Sequence, residues 1–339
     1  MTIKVLIVDD SALIRQLLSE LLHDQRDIEV VGTAADPLIA RDKIKALSPD
    51  VITLDIEMPH MDGLSFLERL MALRPTPVVI VSTLTQKGTE TALRALEAGA
   101  VDIVAKPLLD IRNGMAGLQA ELVGKVRAAA LARPKPRSAP AQRKPLKVDP
   151  ALSTAGRIVA VGASTGGVEA LQRLLTDLPA NSPAILVTQH MPAGFTTSFA
   201  RRLDEICRMS VCEAVNGQRV LPGHVYIANG SRHLELGRTG AQYFCRLHDA
   251  APVSGHRPSV DVLFQSVAAA AGGNALGIIL TGMGRDGAAG LLAMRRAGAR
   301  TLGENEASCL IYGMSKVAFE MGAVDAELPL DGLAAQIIK

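Results

Sequence analysis

Cysteine is scarce and confined to one half of the chain: Cys207, Cys212, Cys245 and Cys309 all lie beyond residue 200, with no C-x-x-C pair and no histidine at a zinc-finger spacing. That argues against a disulfide framework or a structural zinc site and leaves reduced, packed thiols. Long apolar runs are missing too. No stretch approaches the roughly 18 uninterrupted apolar residues of a membrane span, and the N-terminus has no basic segment leading into an apolar one. The expectation is a cytoplasmic protein with no membrane insertion. Net charge is only +2 over 339 residues, but it is unevenly spread. Residues 1–109 carry 11 basic and 16 acidic side chains, residues 110–155 carry 9 and 3, and residues 156–339 carry 16 and 15. Only the middle segment is basic.

That basic segment ends in RPKPRSAPAQRKPLKVDP (133–150), with five prolines and no aromatic residue. Proline at this density forbids a helix or a buried strand, so it is read as a linker. In a polyproline-like state it would reach roughly 55 Å. Without aromatic side chains to stack on bases, its charge reads as solvation rather than nucleic-acid binding. The length suits two domains. The expected division is 1–132, a linker at 133–151, and 152–339.

Before the linker, apolar runs at 3–8, 28–33, 51–54, 77–81 and 101–105 alternate with helical patterns. This is the signature of a five-stranded, doubly wound parallel α/β domain. A last helix carries Met115, Leu118, Leu122 and Val126 at three- and four-residue spacing. After the linker the alternation restarts with RIVAVGA, AILVTQ and ALGIILTG as strands and a helix near 260–271. Short strand-like runs between about 211 and 250 predict a β-rich insertion in this second parallel α/β domain.

Ligands of open parallel sheets bind beyond the carboxyl ends of the strands. There the first domain places Asp9 and Asp10 (strand 1), Asp55 (strand 3), Ser82 and Thr83 (strand 4) and Lys106 before Pro107 (strand 5). Crowded carboxylates repel one another, and a bound divalent cation relieves this; magnesium is the natural candidate. One carboxylate, Asp55, is then placed to accept a phosphoryl group, with a lysine and a hydroxyl on its oxygens. LIVDDSALIRQLL, VITLDIEMPHMDG, VVIVST and AKP resemble a response-regulator receiver domain over about residues 1–120. The resemblance implies Asp9, Asp10 and Asp55 as metal ligands, Asp55 as phosphoacceptor, Ser82 as switch hydroxyl and Lys106 as phosphate contact. Thr83 stands where receivers often have alanine.

In the second domain a strand runs into Gly162-Ala163-Ser164-Thr165-Gly166-Gly167, a G-x-S-x-G match. The motif fits a nucleophile elbow, with the Thr165 N–H near a developing oxyanion, and equally a glycine-rich phosphate turn. His190 ends the next apolar strand at the same sheet edge and is the better-placed base; His256, before a helix, competes with it. Asp286, in the loop after ALGIILTG, could orient the imidazole. That loop also reads G-x-G-x-x-G (282–287), with Glu304 at the spacing of a ribose-binding acid. A carboxylate inside a pyrophosphate loop argues against a dinucleotide site, as does the short chain remaining after it.

VGASTGG, QHMPAGFTTSFARRL, RVLPGHVYIA, HRPSVDVLFQSVA, LTGMGRDGAAGL and NEASCLIYGM, behind a receiver, resemble the CheB family of chemotaxis protein-glutamate methylesterases over essentially the whole chain. The resemblance implies a triad of Ser164, His190 and Asp286, with N–H groups at Thr165 and Met283 as oxyanion donors and no cofactor for the esterase. It also implies hydrolysis of glutamate γ-methyl esters on chemoreceptors, deamidation of receptor glutamines, a chemotaxis histidine kinase as phosphodonor, and restraint of the esterase until Asp55 is phosphorylated. The chain departs from the common pattern at Asn229, where proline is frequent, and at Ser315-Lys316. A regulator with a DNA-binding output would need a basic helix-turn-helix domain, which residues 156–339 do not supply. A pure adaptor would not need the aligned Ser, His and Asp.

Overall fold

The computed structural model describes residues 2–58, 63–106, 115–132 and 156–339. The sequence-predicted linker at 133–151, and Pro107, lie outside them. The chain divides into two compact units, Met1–Pro140 and Ala141–Lys339.

The first unit alternates strand and helix throughout. Its elements are β1 (Ile3–Val8), α1 (Ala12–His23), β2 (Ile28–Ala34), α2 (Pro37–Leu47), β3 (Val51–Asp55), α3 (Gly63–Leu73), β4 (Val78–Ser82), α4 (Gln86–Glu97), β5 (Asp102–Ala105) and α5 (Met115–Leu131). The sheet order is β2-β1-β3-β4-β5 with every pairing parallel. Strands covered by helices on both faces must be apolar on both, and all five residues of β3 and of β4 are buried. Helix starts follow sequence cues. Ser11 caps α1 through Ile14 N–H, Asp36 caps α2 through Leu38 and Ile39 N–H, and Thr85 caps α4 through Gly88 N–H. Chain order reverses between β1 and β3, so the crevice between their carboxyl ends is where a ligand pocket is expected. Asp9 and Asp55 stand there.

The second unit contains β6 (Ile158–Ala163), α6 (Gly167–Thr176), β7 (Ala184–Gln189), α7 (Phe195–Ile206), β8 (Ser210–Glu213), β9 (His224–Ile227), β10 (His233–Thr239), β11 (Gln242–His248), α8 (Val260–Ala271), β12 (Ala275–Ile279), α9 (Ala288–Arg296), β13 (Arg300–Glu304), α10 (Met314–Glu320), β14 (Ala326–Leu328) and α11 (Leu330–Ile337). Seven strands form one parallel sheet in the order β14-β13-β12-β6-β7-β9-β8. The β-rich stretch expected at 211–250 resolves into two parts. β8 and β9 extend the main sheet, and only β10 and β11 form a separate antiparallel hairpin. Periodicity cannot make that distinction, because four-residue strands read alike whether their partners are parallel or antiparallel. From β6 the chain builds outward through β7 to β9 and β8, then returns to β12 and builds the other way. The switch point therefore lies between β6 and β12, and the loops that follow these strands carry Ser164 and Asp286.

Among the described residues, no helix is long and apolar enough to cross a membrane. Fully buried Phe195, Phe199, Tyr226 and Phe264 anchor the core of the second unit.

Candidate active site and phosphoacceptor pocket

Three loops at the carboxyl edge of the second sheet converge. Ser164 follows β6 directly, and its N–H donates to Thr281 O at 3.0 Å. The chain reverses at once, with Gly167 N–H donating to Ser164 O at 2.7 Å. Gly166 makes this reversal in a left-handed conformation, φ 81°, and caps α6; a side chain there would be strained and would meet Leu310 Cβ at 2.8 Å. His190 follows β7, one strand away. Asp286 lies in the loop after β12, on the opposite side of β6.

The structure brings these three side chains into line. Ser164 Oγ lies 3.2 Å from His190 Nδ1, and His190 Nε2 lies 2.8 Å from Asp286 Oδ2. The carboxylate accepts, so Nε2 carries the ring proton and Nδ1 presents its lone pair to the serine hydroxyl. This is the reverse of the usual assignment, in which Nε2 faces the serine. The His190 ring is presented the other way round.

Asp286 is 1% exposed. Oδ2 also accepts from Val260 N–H at 2.7 Å, and Oδ1 accepts from Ser259 Oγ at 2.7 Å and Asp261 N–H at 3.1 Å. Those amides belong to the first turn of α8, the positive end of its dipole. Burial pushes the Asp286 carboxyl up, but its bonds to His190, Ser259 and Val260 outweigh that and hold it well below the ordinary carboxylate range. Its neighbour Asp261 is driven the other way, by burial and by the charge of Asp286. Asp261 Oδ1 in turn accepts Gly290 N–H at 2.7 Å in the first turn of α9. Two adjacent helices are thus capped by carboxylates that belong to each other's segments.

The remaining contacts fix the loops. Gln189 Nε2 donates to Ser164 O at 2.9 Å and to His190 O at 3.0 Å, tying the two loops together. Thr281 Oγ1 donates to Thr165 O at 3.0 Å. Gly282 permits the closest approach, since a Cβ on it would fall 2.6 Å from Ser164 Cβ. Its N–H donates to Ile311 O and its carbonyl accepts from Met314 N–H, which pins the Gly282-Met283 backbone against Ser164. Thr165 follows Ser164 in the chain, and Met283 follows Gly282, the residue packed against the serine.

Several residues that sequence reasoning did not assign complete the site: Ser259, Asp261, Gln189 and Thr281. Ser259 was legible as a helix cap, and it does accept from Val262 N–H; its bond to Asp286 depends on tertiary placement. Glu304, spaced as a ribose-binding acid, is buried and accepts Thr281 N–H at 2.9 Å, bracing the end of β12. His256 lies face to face with His190, with ring centroids 3.8 Å apart. Both departures from the expected sequence pattern are locally satisfied. Asn229 Oδ1 accepts from Ser231 N–H at 2.9 Å, and buried Ser315 Oγ lies within 3.3 Å of the Ile279 and Leu280 carbonyls.

In the first unit, carboxylate oxygens of Asp9, Asp10 and Asp55 lie within 4.8 Å of one another. Lys106 Nζ donates to Asp55 Oδ2 at 2.7 Å and lies 2.9 Å from Asp9 Oδ2. The latter contact is an ion pair outside hydrogen-bond geometry, which leaves buried Asp9 Oδ2 without a hydrogen-bond partner. Burial raises the Asp9 carboxyl above its ordinary range despite Lys106. Three clustered carboxylates facing a single lysine leave an excess of negative charge in a pocket of hard oxygen donors, which fits a divalent ion. Ser82 is fully buried, and its hydroxyl donates to Gly88 O at 3.2 Å. Thr83 Oγ1 donates to Glu57 Oε2 at 2.5 Å.

Comparison with known proteins agrees with this architecture. The family model for the CheB methylesterase matches residues 159–337, and that for the response regulator receiver domain matches residues 5–116. The chain belongs to the CheB methylesterase family. A relative from Chromohalobacter salexigens, named protein-glutamate methylesterase/protein-glutamine glutaminase, is 59% identical over 99% of this chain and 96% of its own. One of the same name from Escherichia coli O157:H7 is 57% identical over the same shares. Among solved structures, the CheB methylesterase catalytic domain of Thermotoga maritima is 38% identical, with a TM-score of 0.53 over 54% of this chain and 97% of that one. Family membership accounts for both units of the chain, the receiver and the hydrolase.

Proposed function

We propose that this protein is a serine esterase that hydrolyses glutamate γ-methyl esters on chemoreceptors, releasing methanol, and deamidates receptor glutamines at the same site. The receiver is assigned to 1–132, the linker to 133–151 and the catalytic domain to 152–339. The observation that carries the reading is the hydrogen-bonded line from Ser164 through His190 to Asp286.

Each side chain in that line has one task. His190 Nδ1 takes the Ser164 proton as Oγ adds to the ester carbon. Thr165 and Met283 N–H groups are the assigned donors to the resulting oxyanion. The tetrahedral species expels methoxide, which takes the proton from Nδ1 and leaves as methanol. Water then adds to the acyl carbon, passes its proton to Nδ1, and Oγ leaves and is reprotonated. Asp286 holds the ring tautomer and offsets its transient positive charge throughout. With a carboxamide substrate the leaving group is ammonia, and nothing else changes.

In the receiver, Asp55 is the assigned phosphoacceptor: its carboxylate oxygen bonds to the phosphorus of a histidine kinase phosphohistidine as the phosphorus–nitrogen bond breaks, and the donor imidazole leaves and takes up a proton. Asp9, Asp10 and Asp55 would hold the magnesium ion. That ion supplies neutralisation of charge on the phosphoryl oxygens. Lys106 contacts the phosphoryl group, and the Ser82 hydroxyl, now bonded to Gly88 O, turns from α4 toward it. Phosphorylation raises esterase activity.

The test is release of labelled methanol from receptor-bearing membranes methylated with a labelled methyl group. Methanol release is expected, faster with a phosphodonor and magnesium. Ester hydrolysis of a small model substrate with no release from receptors would overturn the substrate assignment.

A further inference from the structure

The His256 ring stacks on the His190 ring with planes 9° from parallel and centroids 3.8 Å apart. His256 belongs to the turn that leads into α8, where its backbone exchanges hydrogen bonds of 3.0 and 2.9 Å with Val253. Three residues later Ser259 and the first amides of α8 hold Asp286. The same short segment therefore grips the triad histidine on its flat face and the triad aspartate at its oxygens. Neither hydrogen bond of the triad uses His256.

We propose that His256 is a positioning residue for deacylation, holding the His190 imidazole in plane while the serine is esterified. This rests on the reading of Ser164 as nucleophile. In the free enzyme the ring is held at both edges, by Ser164 at Nδ1 and by Asp286 at Nε2. Once Oγ is part of an ester it has no proton to donate, and the Nδ1 edge loses its tether. The ring then pivots on its single bond to Asp286 unless a face restrains it. Deacylation needs Nδ1 in place: the water oxygen bonds to the acyl carbon, a water proton moves to Nδ1, the carbon–Oγ bond breaks, and that proton returns to Oγ. A misplacement of about 1 Å at such a step costs roughly 100-fold. Acylation does not need the stacked face to the same degree, because there the serine itself holds the ring.

The two halves of the reaction separate when the full chain reacts with p-nitrophenyl acetate: a burst of p-nitrophenol reports acylation and the steady phase reports deacylation. Compared with wild type, His256→Ala and His256→Leu are expected to lower the ratio of steady to burst rate by roughly tenfold. His256→Phe, which keeps a flat ring without imidazole nitrogens, recovers most of it. Wild-type ratios in Ala and Leu variants would overturn the proposal, as would a folded Phe variant no better than Leu. If circular dichroism shows that His256→Ala does not fold, the Leu and Phe pair decides. Ser164→Ala run alongside separates the two failures. A burst that survives in it overturns the Ser164 reading and this inference together, whereas its loss beside unchanged His256 ratios overturns only the inference.

Discussion

Asp286 is the residue on which most of the candidate active site converges. Its two oxygens accept four bonds, from His190 Nε2, Val260 N–H, Ser259 Oγ and Asp261 N–H. Asparagine has one oxygen and one NH2 group, so Asp286→Asn turns at least one of these contacts into donor against donor. The expected loss is about 10⁴-fold in kcat, as for removal of the charge from a comparable triad. A buried unmet donor adds about 1–3 kcal/mol of destabilisation, read as a lowered midpoint in urea. The acid limb of stability follows from the same contacts. Because the folded carboxyl sits below its unfolded value, its contribution is present above the ordinary value near 3.8 and disappears as pH falls through the depressed one. Asp286→Asn should therefore unfold with a shallower pH dependence between about 4 and 2 than wild type. At this scale the sequence was legible where chemistry is marked by a turn. Ser164, His190 and Asp286 each follow a strand, in glycine- or proline-flanked loops. Gln189, Asp261 and Thr281 carry no such mark. Their roles come from which backbone groups happen to lie beside them after the loops meet.

Elements hold the site by helix ends and close backbone approaches. The crossed capping of α8 by Asp286 and of α9 by Asp261 needs both helices to start at the switch point, with Gly282 letting the β12 loop touch Ser164. A methyl group on Gly282 would lie 2.6 Å from Ser164 Cβ and 2.4 Å from Met314 Sδ. Gly282→Ala should therefore lose about 100-fold in esterase rate by displacing the serine. The accompanying destabilisation, about 1–3 kcal/mol from overpacking, is measured in the same denaturant titration. An esterase rate within threefold of wild type would show that the loop is not the rigid wall described here. The alternation of strands and helices was readable from apolar runs and caps through β12. β13 and β14 were not singled out: β13 (RTLGE) mixes charge and glycine into a buried strand, and β14 is three residues long. The assignment of β8 and β9 to the main sheet likewise rests on parallel pairing across long connections, which no local pattern encodes.

On the scale of the whole molecule, two chemistries are joined in one chain, and each should be removable without the other. Asp55→Asn keeps Ser164, His190 and Asp286, so its unstimulated ester hydrolysis should match that of wild type. It should form no acyl phosphate and show no stimulation by acetyl phosphate with magnesium. Chelation of magnesium should abolish stimulation of wild type and leave its basal rate unchanged, since no catalytic step in the esterase is assigned to a metal. Label transfer to Asp55→Asn at wild-type stoichiometry would place the phosphoacceptor elsewhere. If Ser164 is the nucleophile for the receptor ester, the initial rate of methanol release from methylated receptor membranes should depend on its hydroxyl, which Ser164→Ala removes. Ser164→Ala should give a folded protein, unchanged in Asp55 phosphorylation, whose release falls by about 10⁴-fold or more. A folded Ser164→Ala protein that keeps a tenth of the wild-type rate would contradict the assignment of Ser164 as nucleophile.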